Sequence, residues 1–276
     1  MTFIRKESIV NIEFFGKEIP LYGVFFWLGV FASALSAVFV CKKKKLPLFD
    51  LTCSGVYTMI GGIIGAKGLY ILISLNDIIA FAEAENLGFW ELMPAIIKGG
   101  FVFYGGLIGG AIGLIAYAKE FKKDLSLLFE IYTSVLPLGH AFGRIGCFFG
   151  GCCYGVEYDG PFSYVYEVAA GQVPLGIPLF PVQILEALCL LLLFAVQMLL
   201  LVRFSEKKHI LLCNYTFSYA AIRFGIEFLR GDVERGRFLI LSTSQWISVG
   251  IIVIMTVTMS YRYFKLKKGG CNFEIR

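Results

Sequence analysis

The sequence has few charged residues for its length. Asp, Glu, Lys and Arg make up 16% of the 276 residues, whereas hydrophobic residues make up 58% and the mean hydropathy is +0.76. Soluble domains carry roughly 25% charged residues. The shortage of charge therefore excludes an ordinary soluble domain and indicates an integral membrane protein.

Three further features are absent. The apolar runs do not alternate with polar residues, which excludes a β-barrel and favours helices, because a helix satisfies its own backbone polar groups in lipid. The first 20 residues carry charges throughout and have no central apolar region, so no cleavable signal peptide is expected. No internal repeat or low-complexity segment is present. The first membrane helix is therefore expected to direct insertion.

The apolar runs are long enough for seven membrane-spanning helices. We therefore predict an all-α integral membrane protein with a single membrane domain over residues 1–276. Residues 143–181, rich in Gly, Pro and Tyr, are predicted to form a small extracytoplasmic head or arm, and residues 76–93 a loop. The predicted spans are about 19–40, 51–75, 96–118, 125–142, 182–202, 210–229 and 238–261.

Basic residues occur mainly on every second connection between these spans. Lysine and arginine cluster at 42–45, 119–123, 203–208 and in the tail, whereas 76–93 has none and 143–181 has only Arg144. Because positive charge marks the cytoplasmic side of a membrane, we predict the amino terminus outside and the carboxyl terminus in the cytoplasm. The pattern accounts for the basic residues without a nucleic-acid partner. The connection "RGDVERGRF" breaks it, which suggests a function for its arginines.

Polar side chains from six of the seven spans fall at a similar depth, toward the outer side. A charged group in a bilayer requires a partner, water or a cavity, so a polar cavity in the outer leaflet is predicted. For any single residue, a structural ion pair or a lysine extended toward the surface is the alternative. The residues are Lys67, Tyr104, His140, Arg144, Gln183, Glu186, Arg223, Glu227, Arg230, Ser242, Ser244 and Gln245.

One stripe of the sixth span carries alternating charge. Tyr219, Arg223 and Glu227 follow one another at i, i+4 spacing, and Arg230 comes three residues later. A self-neutralising pair of Arg223 and Glu227 is the structural alternative, and it leaves Arg144 and Arg230 available. The planar fork of arginine matches phosphate oxygens, so these residues point to a phospholipid headgroup.

Seven motifs, in this order, resemble the bacterial prolipoprotein diacylglyceryl transferase family over most of the chain. They are "YGVFFWLGV", "GGIIGAKGLY", "KGGFVFYGGLIGG", "GRIGCFFGGCCYG", "FPVQILEA", "YAAIRFGIEFLRGD" and "LSTSQWIS". The resemblance implies seven spans, a periplasmic head and a bacterial cell membrane location. It also implies transfer of diacylglycerol from phosphatidylglycerol to the lipobox cysteine of an exported prolipoprotein, with release of glycerol 1-phosphate.

The same resemblance assigns roles by position. Arg144 matches the signature arginine of the family, Arg223 and Arg230 match its sixth-helix arginines, and Glu227 matches the carboxylate between them. Three motifs depart from those of the family. Tyr104 replaces the histidine of "HGGL" and Lys67 an arginine, while in "GRIGCFFGGC" the residues Cys147, Gly150 and Cys152 replace the two asparagines and the glutamate of "GRxGNFINGE". The residues expected to bind phosphatidylglycerol are Arg144, Arg223, Arg230, Lys67, Tyr219, Gln183 and Glu186.

Alkylation of a thiol requires a thiolate and a stabilised leaving phosphate. We expect Arg144, Arg223 and Arg230 to stabilise the leaving phosphate, and we predict that Arg144, Arg223 and Glu227 are catalytic. His140, four residues before Arg144, is the candidate base, with Tyr104 as a second candidate. A hydrogen-bonded structural histidine is the alternative interpretation of His140. No cofactor and no metal ion is expected.

Cys147, Cys152 and Cys153 allow several interpretations: apolar packing, a structural disulfide, or reactive thiols. Packing or a disulfide is favoured. A zinc site formed with His140 ranks last, because adjacent cysteines depart from the usual spaced ligand pairs.

Two other functions remain open beside the transferase. One is a divergent phospholipid-dependent transferase with a different acceptor. The other is a membrane thiol oxidoreductase or a non-catalytic lipid-binding protein.

Overall fold

The computed structural model describes residues 11–14, 17–204, 209–232, 237–238 and 240–268. Two compact units are present: residues 45–129 form the smaller, and residues 1–44 together with 130–276 form the larger. The helices are α1 (Leu21–Lys43), α2 (Leu48–Ile73), α3 (Leu75–Ala84), α4 (Phe89–Lys98), α5 (Phe103–Glu120), α6 (Leu125–Gly150), α7 (Val182–Arg203), α8 (Ile210–Ile226) and α9 (Thr243–Lys268).

Short strands form three antiparallel pairs in the larger unit. They are β1 (Asn11–Phe14) with β2 (Lys17–Pro20), β3 (Tyr164–Val165) with β4 (Pro178–Leu179), and β5 (Arg237–Phe238) with β6 (Leu241–Ser242). A 3-10 turn, Glu227–Leu229, follows α8.

Four described helices are long and apolar enough to cross a membrane: α1, α2, α6 and α7. The apolar part of α9, Thr243–Thr258, is shorter. A mostly helical protein with apolar spans is therefore confirmed, and the number of seven spans stays a prediction.

The region predicted as a loop at 76–93 is mostly helical, because α3 and the start of α4 occupy it. The Glu91 carboxylate accepts a hydrogen bond from the Gly88 N–H (2.9 Å), which satisfies a donor at the start of α4. The chain leaves α4 at Gly99, where a Cβ would collide with the Tyr70 ring. As a result α5 begins at Phe103, seven residues after the start predicted for the third span at 96.

Helix α6 continues to Gly150, eight residues beyond the predicted end of the fourth span at 142. Arg144 and Cys147 are therefore helical residues rather than parts of an irregular segment. The added turns are held by tertiary contacts: Phe149 stacks on Phe25 of α1 with ring centroids 5.1 Å apart, and Phe148 packs against the arm. The polar residues after 142 suggested a loop, but Arg144 forms an ion pair with Glu186 of α7 within the larger unit.

Helix α9 begins at Thr243, because strands β5 (Arg237–Phe238) and β6 (Leu241–Ser242) pair at the place where the predicted span was to start. The side chains of Ser242 and Gln245 cap the helix reciprocally. Ser242 N–H donates to Gln245 Oε1 (3.0 Å), and Gln245 N–H donates to Ser242 Oγ (3.2 Å). This capping box sets the helix start.

In the smaller unit, α2 and α5 cross at glycines spaced by four. A Cβ on Gly65 would collide with the Gly105 carbonyl oxygen, and one on Gly109 with the Gly61 carbonyl oxygen. Small residues at this spacing let two helix backbones approach closely.

At the start of α2, the buried Asp50 carboxylate accepts a hydrogen bond from Tyr117 (2.8 Å) and pairs with Lys123 (2.8 Å).

In the larger unit, α6, α7 and α8 meet around the buried residues Ala141, Ala187 and Leu190.

The segment between α6 and α7, which we call the arm, has its own small core of Tyr166, Val173 and Leu179, and this core packs against Phe148. Tyr166 donates its hydroxyl to the Phe148 carbonyl (3.0 Å), and burial raises the pKa of this phenol. The arm is thereby attached directly to the last turn of α6.

Candidate functional site

A buried carboxylate, Glu186 on α7, lies among three guanidinium groups. Its Oε2 is 3.0 Å from Arg144 Nε, 3.9 Å from Arg223 Nη1 and 4.0 Å from Arg230 Nη1. These arginines come from α6, α8 and the residue after the 3-10 turn. The structure therefore brings together the three arginines that the sequence analysis selected, and Glu186 is their common partner.

Two of the three arginines also have a carboxylate of their own. Arg223 Nη2 lies 2.7 Å from Glu227 Oε2 one turn later, as expected for the i, i+4 pair. Arg230 binds Asp232 with two parallel contacts, Nε to Oδ1 at 2.8 Å and Nη2 to Oδ2 at 2.5 Å. Burial opposes the charged form of Arg230, but this carboxylate raises the pKa of the guanidinium.

The ion cluster thus contains three guanidiniums and three carboxylates, so its formal charges cancel. The expectation that Arg144 and Arg230 remain available is wrong in this structure, because Arg144 pairs with Glu186 and Arg230 pairs with Asp232. Asp232 was missed as a functional candidate. Its position two residues after Arg230 in "RGD" was the signal available in the sequence.

Several buried atoms of the ion cluster have no hydrogen-bond partner among the described residues. The donors are Arg144 Nε, Arg223 Nη1 and Arg230 Nη1, which lie within ion-pair distance of Glu186 without hydrogen-bond alignment. Both carboxylate oxygens of Glu186 also have no hydrogen-bond partner among the described residues. Buried polar groups are nearly always hydrogen-bonded in folded proteins. Three unused guanidinium donors around one point therefore form a site that an anion or water can complete.

His140 lies one turn before Arg144 on α6. Its ring centroid is 5.4 Å from that of Tyr219, and Tyr219 in turn stacks on Tyr215 at 5.7 Å. Arg144 and Arg223 are both electrostatic neighbours of the imidazole. The structure thus groups the predicted base and Tyr219 with the arginines. Tyr215, one turn earlier on α8, extends the aromatic surface and was not predicted.

Gln183 and the start of α9 support the site from two sides. Gln183, buried on α7, donates its Nε2 to the Cys152 carbonyl (2.9 Å), so it holds the turn after α6. Arg223 Nη2 donates to Ser244 Oγ at 3.4 Å. Ser244 therefore lies beside the Arg223 guanidinium, whereas Gln183 holds the backbone of the turn after α6.

Lys67 and Tyr104 lie in the smaller unit, and their contribution to the same site stays a prediction. The Lys67 ammonium donates to the carbonyls of Gly99 (2.8 Å) and Gly100 (3.2 Å), and it lies 4.5 Å from the centroid of the Phe101 ring. These contacts satisfy the cation locally. Tyr104, in the first turn of α5, is 46% exposed.

Cys147, Cys152 and Cys153 come together where α6 ends. Their sulfur atoms all lie within 4.8 Å of one another, and each residue is a thiol rather than a disulfide partner. The favoured disulfide is therefore not formed in this structure. Cys153 is an electrostatic neighbour of both Arg144 and Arg230, so the three thiols lie close to the ion cluster.

Comparison with known proteins gives a consistent result. A family model described as prolipoprotein diacylglyceryl transferase matches residues 9–261. A phosphatidylglycerol–prolipoprotein diacylglyceryl transferase of Clostridium tetani is 35% identical over 248 residues, 89% of this chain and 94% of the relative. Similar proteins from Clostridium perfringens, 33% identical, and Dehalococcoides mccartyi, 30% identical, match 89% and 91% of this chain and 91% and 92% of their own lengths.

Proposed function

We propose, from the premise that this chain belongs to the prolipoprotein diacylglyceryl transferase family, that it transfers a diacylglyceryl group from phosphatidylglycerol to a prolipoprotein. The acceptor would be the lipobox cysteine thiol of an exported protein. The observation that carries this assignment beyond the family match is the convergence of Arg144, Arg223 and Arg230 on Glu186. Charged side chains within a membrane segment mark functional sites, and the planar fork of arginine matches the oxygens of a lipid phosphate.

In the proposed reaction, the acceptor sulfur forms a bond to the carbon of the diacylated glycerol that carries the phosphate. The carbon–oxygen bond to the phosphate breaks, and glycerol 1-phosphate leaves with the electron pair. The thiol proton passes to a base. Negative charge therefore accumulates on the leaving phosphate, where fixed guanidinium donors stabilise the transition state more than the ground state.

The unused donors of Arg144, Arg223 and Arg230 support binding of that phosphate. Because the ion cluster is neutral as it stands, phosphate binding must shift at least one guanidinium away from a carboxylate. Glu186 and Glu227 would then keep the remaining guanidiniums oriented. Tyr219 would lie beside the headgroup through its contact with His140.

His140 is the proposed base, because it lies in the larger unit beside Tyr219, whereas Tyr104, the other candidate from the sequence, lies in the smaller unit. A neutral imidazole accepts a thiol proton near neutral pH. Its place one turn from Arg144 puts proton acceptance and phosphate binding on one face of α6.

The membrane arrangement is proposed together with the reaction. We infer seven spans, an amino terminus outside and a carboxyl terminus in the cytoplasm of a bacterial cell. The arm, predicted at 143–181 and starting after Gly150 in the structure, would lie on the outer side of the membrane. The distribution of Lys and Arg over the connections supports this inference.

The test uses the full chain purified in detergent, phosphatidylglycerol labelled in the acyl chains, and a lipobox peptide. A thioether-linked lipid peptide with release of glycerol 1-phosphate is expected, and a peptide with serine in place of cysteine should give none. Arg144→Ala should abolish the product, whereas Arg203→Ala, at the far end of α7, should retain it. Absence of product beside an active C. tetani relative would refute the proposal.

A further inference from the structure

The turn after α6 is built so that three thiols point toward one another. Gly151 adopts a left-handed conformation (φ +66°), and any Cβ there would collide with Ala169 of the arm. The Cys152 N–H then donates back to the Cys147 carbonyl (3.1 Å), while Gln183 holds the Cys152 carbonyl. The approach of the thiols is therefore imposed by the backbone rather than by flexible side chains.

The spacing of the sulfur atoms suits a shared metal ion. Zinc–thiolate bonds of about 2.3 Å in tetrahedral geometry place two sulfurs about 3.8 Å apart. The three sulfur atoms here lie within 4.8 Å of one another, so small side-chain rotations suffice. Cys147 and Cys152 also have a sequence spacing that zinc ligand pairs use, and Cys153 adds a third sulfur. This set of ligands differs from the zinc site that ranked last in the sequence analysis, because it does not include His140.

The charge around the thiols also suits bound thiolates. Arg144 and Arg230 are both electrostatic neighbours of Cys153, and Arg144 is also one of Cys147. Three thiolates on a divalent ion carry one net negative charge, which these guanidiniums offset. Outer groups that hydrogen-bond metal ligands fix their orientation.

We propose that Cys147, Cys152 and Cys153 bind one zinc ion through three thiolates, with the fourth position open to an external thiol. Among the described residues, no histidine, carboxylate or further cysteine joins these three cysteines as a possible fourth ligand, and His140 is not part of the group. Three protein ligands with an open position characterise catalytic rather than structural zinc sites.

The open position gives the metal a role that rests on the proposed function. Coordination to zinc lowers the pKa of a thiol, so an acceptor cysteine would give its proton to His140 and be held there as a thiolate. The adjacent Arg144 and Arg230 belong to the proposed phosphate site. The acceptor sulfur and the leaving phosphate would then meet within one region of the larger unit.

Metal binding is tested without transfer. The full chain, reduced and loaded with zinc, is freed of excess metal and measured by elemental analysis, with about one zinc per chain expected. Cys147→Ser and Cys152→Ser should lose most of it, whereas Cys53→Ser and Cys189→Ser should retain it. In the unmodified chain, bound zinc should also slow the alkylation of these three cysteines. This second measurement requires no variant.

The open position is tested with Cd²⁺ as a spectroscopic probe. Adding the lipobox peptide should raise the ultraviolet thiolate–cadmium absorption by about one third, as four thiolates replace three. The serine peptide should leave it unchanged. Zinc content far below one per reduced chain, binding that survives both serine variants, or an unchanged spectrum with the cysteine peptide would overturn the proposal. These outcomes do not depend on whether diacylglyceryl transfer occurs.

Discussion

Arg144 Nε lies 3.0 Å from Glu186 Oε2, and among the described residues Glu186 is the only carboxylate within ion-pair distance of Arg144. Arg223 and Arg230 differ, because each has a second acidic partner. If Arg144 turned toward a phosphate, Glu186 would still have two guanidiniums within 4.0 Å. Arg144 is therefore the arginine best placed to exchange its carboxylate for the lipid.

Arg144→Lys keeps the charge but removes the planar fork that matches a phosphate. Loss of one such donor lowers catalytic rates on the order of 100-fold or more. We expect that loss in the initial rate of glycerol 1-phosphate release, with the fold retained. Arg203→Lys, on the exposed end of α7, is the matched control. A rate for Arg144→Lys close to that of the unmodified chain would show that the guanidinium does not contact the phosphate.

Glu186→Gln removes the shared carboxylate and leaves three guanidiniums with two acidic partners. Removal of one partner of a buried ion pair destabilises a protein by about 3–5 kcal/mol. A clear fall in the thermal unfolding temperature in detergent is expected. Glu120→Gln is the control, because Glu120 accepts a hydrogen bond from Tyr57 (2.8 Å) on an exposed surface, and no measurable change is expected there. Equal unfolding temperatures for both variants would contradict the central position of Glu186.

Gly109→Ala tests the helix crossing in the smaller unit. The new Cβ would collide with the Gly61 carbonyl oxygen, and both backbones would have to separate. Overpacking of this kind destabilises by about 1–3 kcal/mol. Gly68→Ala on α2 meets no atom within 4 Å and should be neutral or stabilising, since alanine favours helix. The unfolding temperature should fall for Gly109→Ala and stay constant or rise for Gly68→Ala. An unchanged unfolding temperature for Gly109→Ala would show that the two helices do not cross closely.

The apolar runs predicted helices well where hydrophobicity alone decides the structure. The fifth span was predicted at 182–202, and α7 covers Val182–Arg203. The prediction failed at α6, which continues to Gly150 through Arg144. A charged residue in sequence signals exposure, but here it signals a tertiary partner. That partner lies on another helix, so local composition carries no trace of it.

The pairing within the ion cluster was predictable only in part. The Arg223–Glu227 pair follows from helical spacing and is present. The pairing of Arg230 with Asp232 depends on the extended backbone that follows the 3-10 turn, where Arg230 has ψ 137°. Sequence spacing does not determine that conformation. The common position of Glu186 depends on the packing of α6, α7 and α8 together.

His140→Asn separates proton transfer from lipid binding. Loss of a general base lowers the rate by roughly 100- to 10,000-fold, and the phosphate donors are unchanged. We expect kcat to fall while the KM for phosphatidylglycerol stays constant. His209→Asn is the matched control, because His209 precedes α8 in a left-handed conformation (φ 66°) that asparagine tolerates. A raised KM with unchanged kcat for His140→Asn would instead assign the imidazole to headgroup binding and leave the base to another residue.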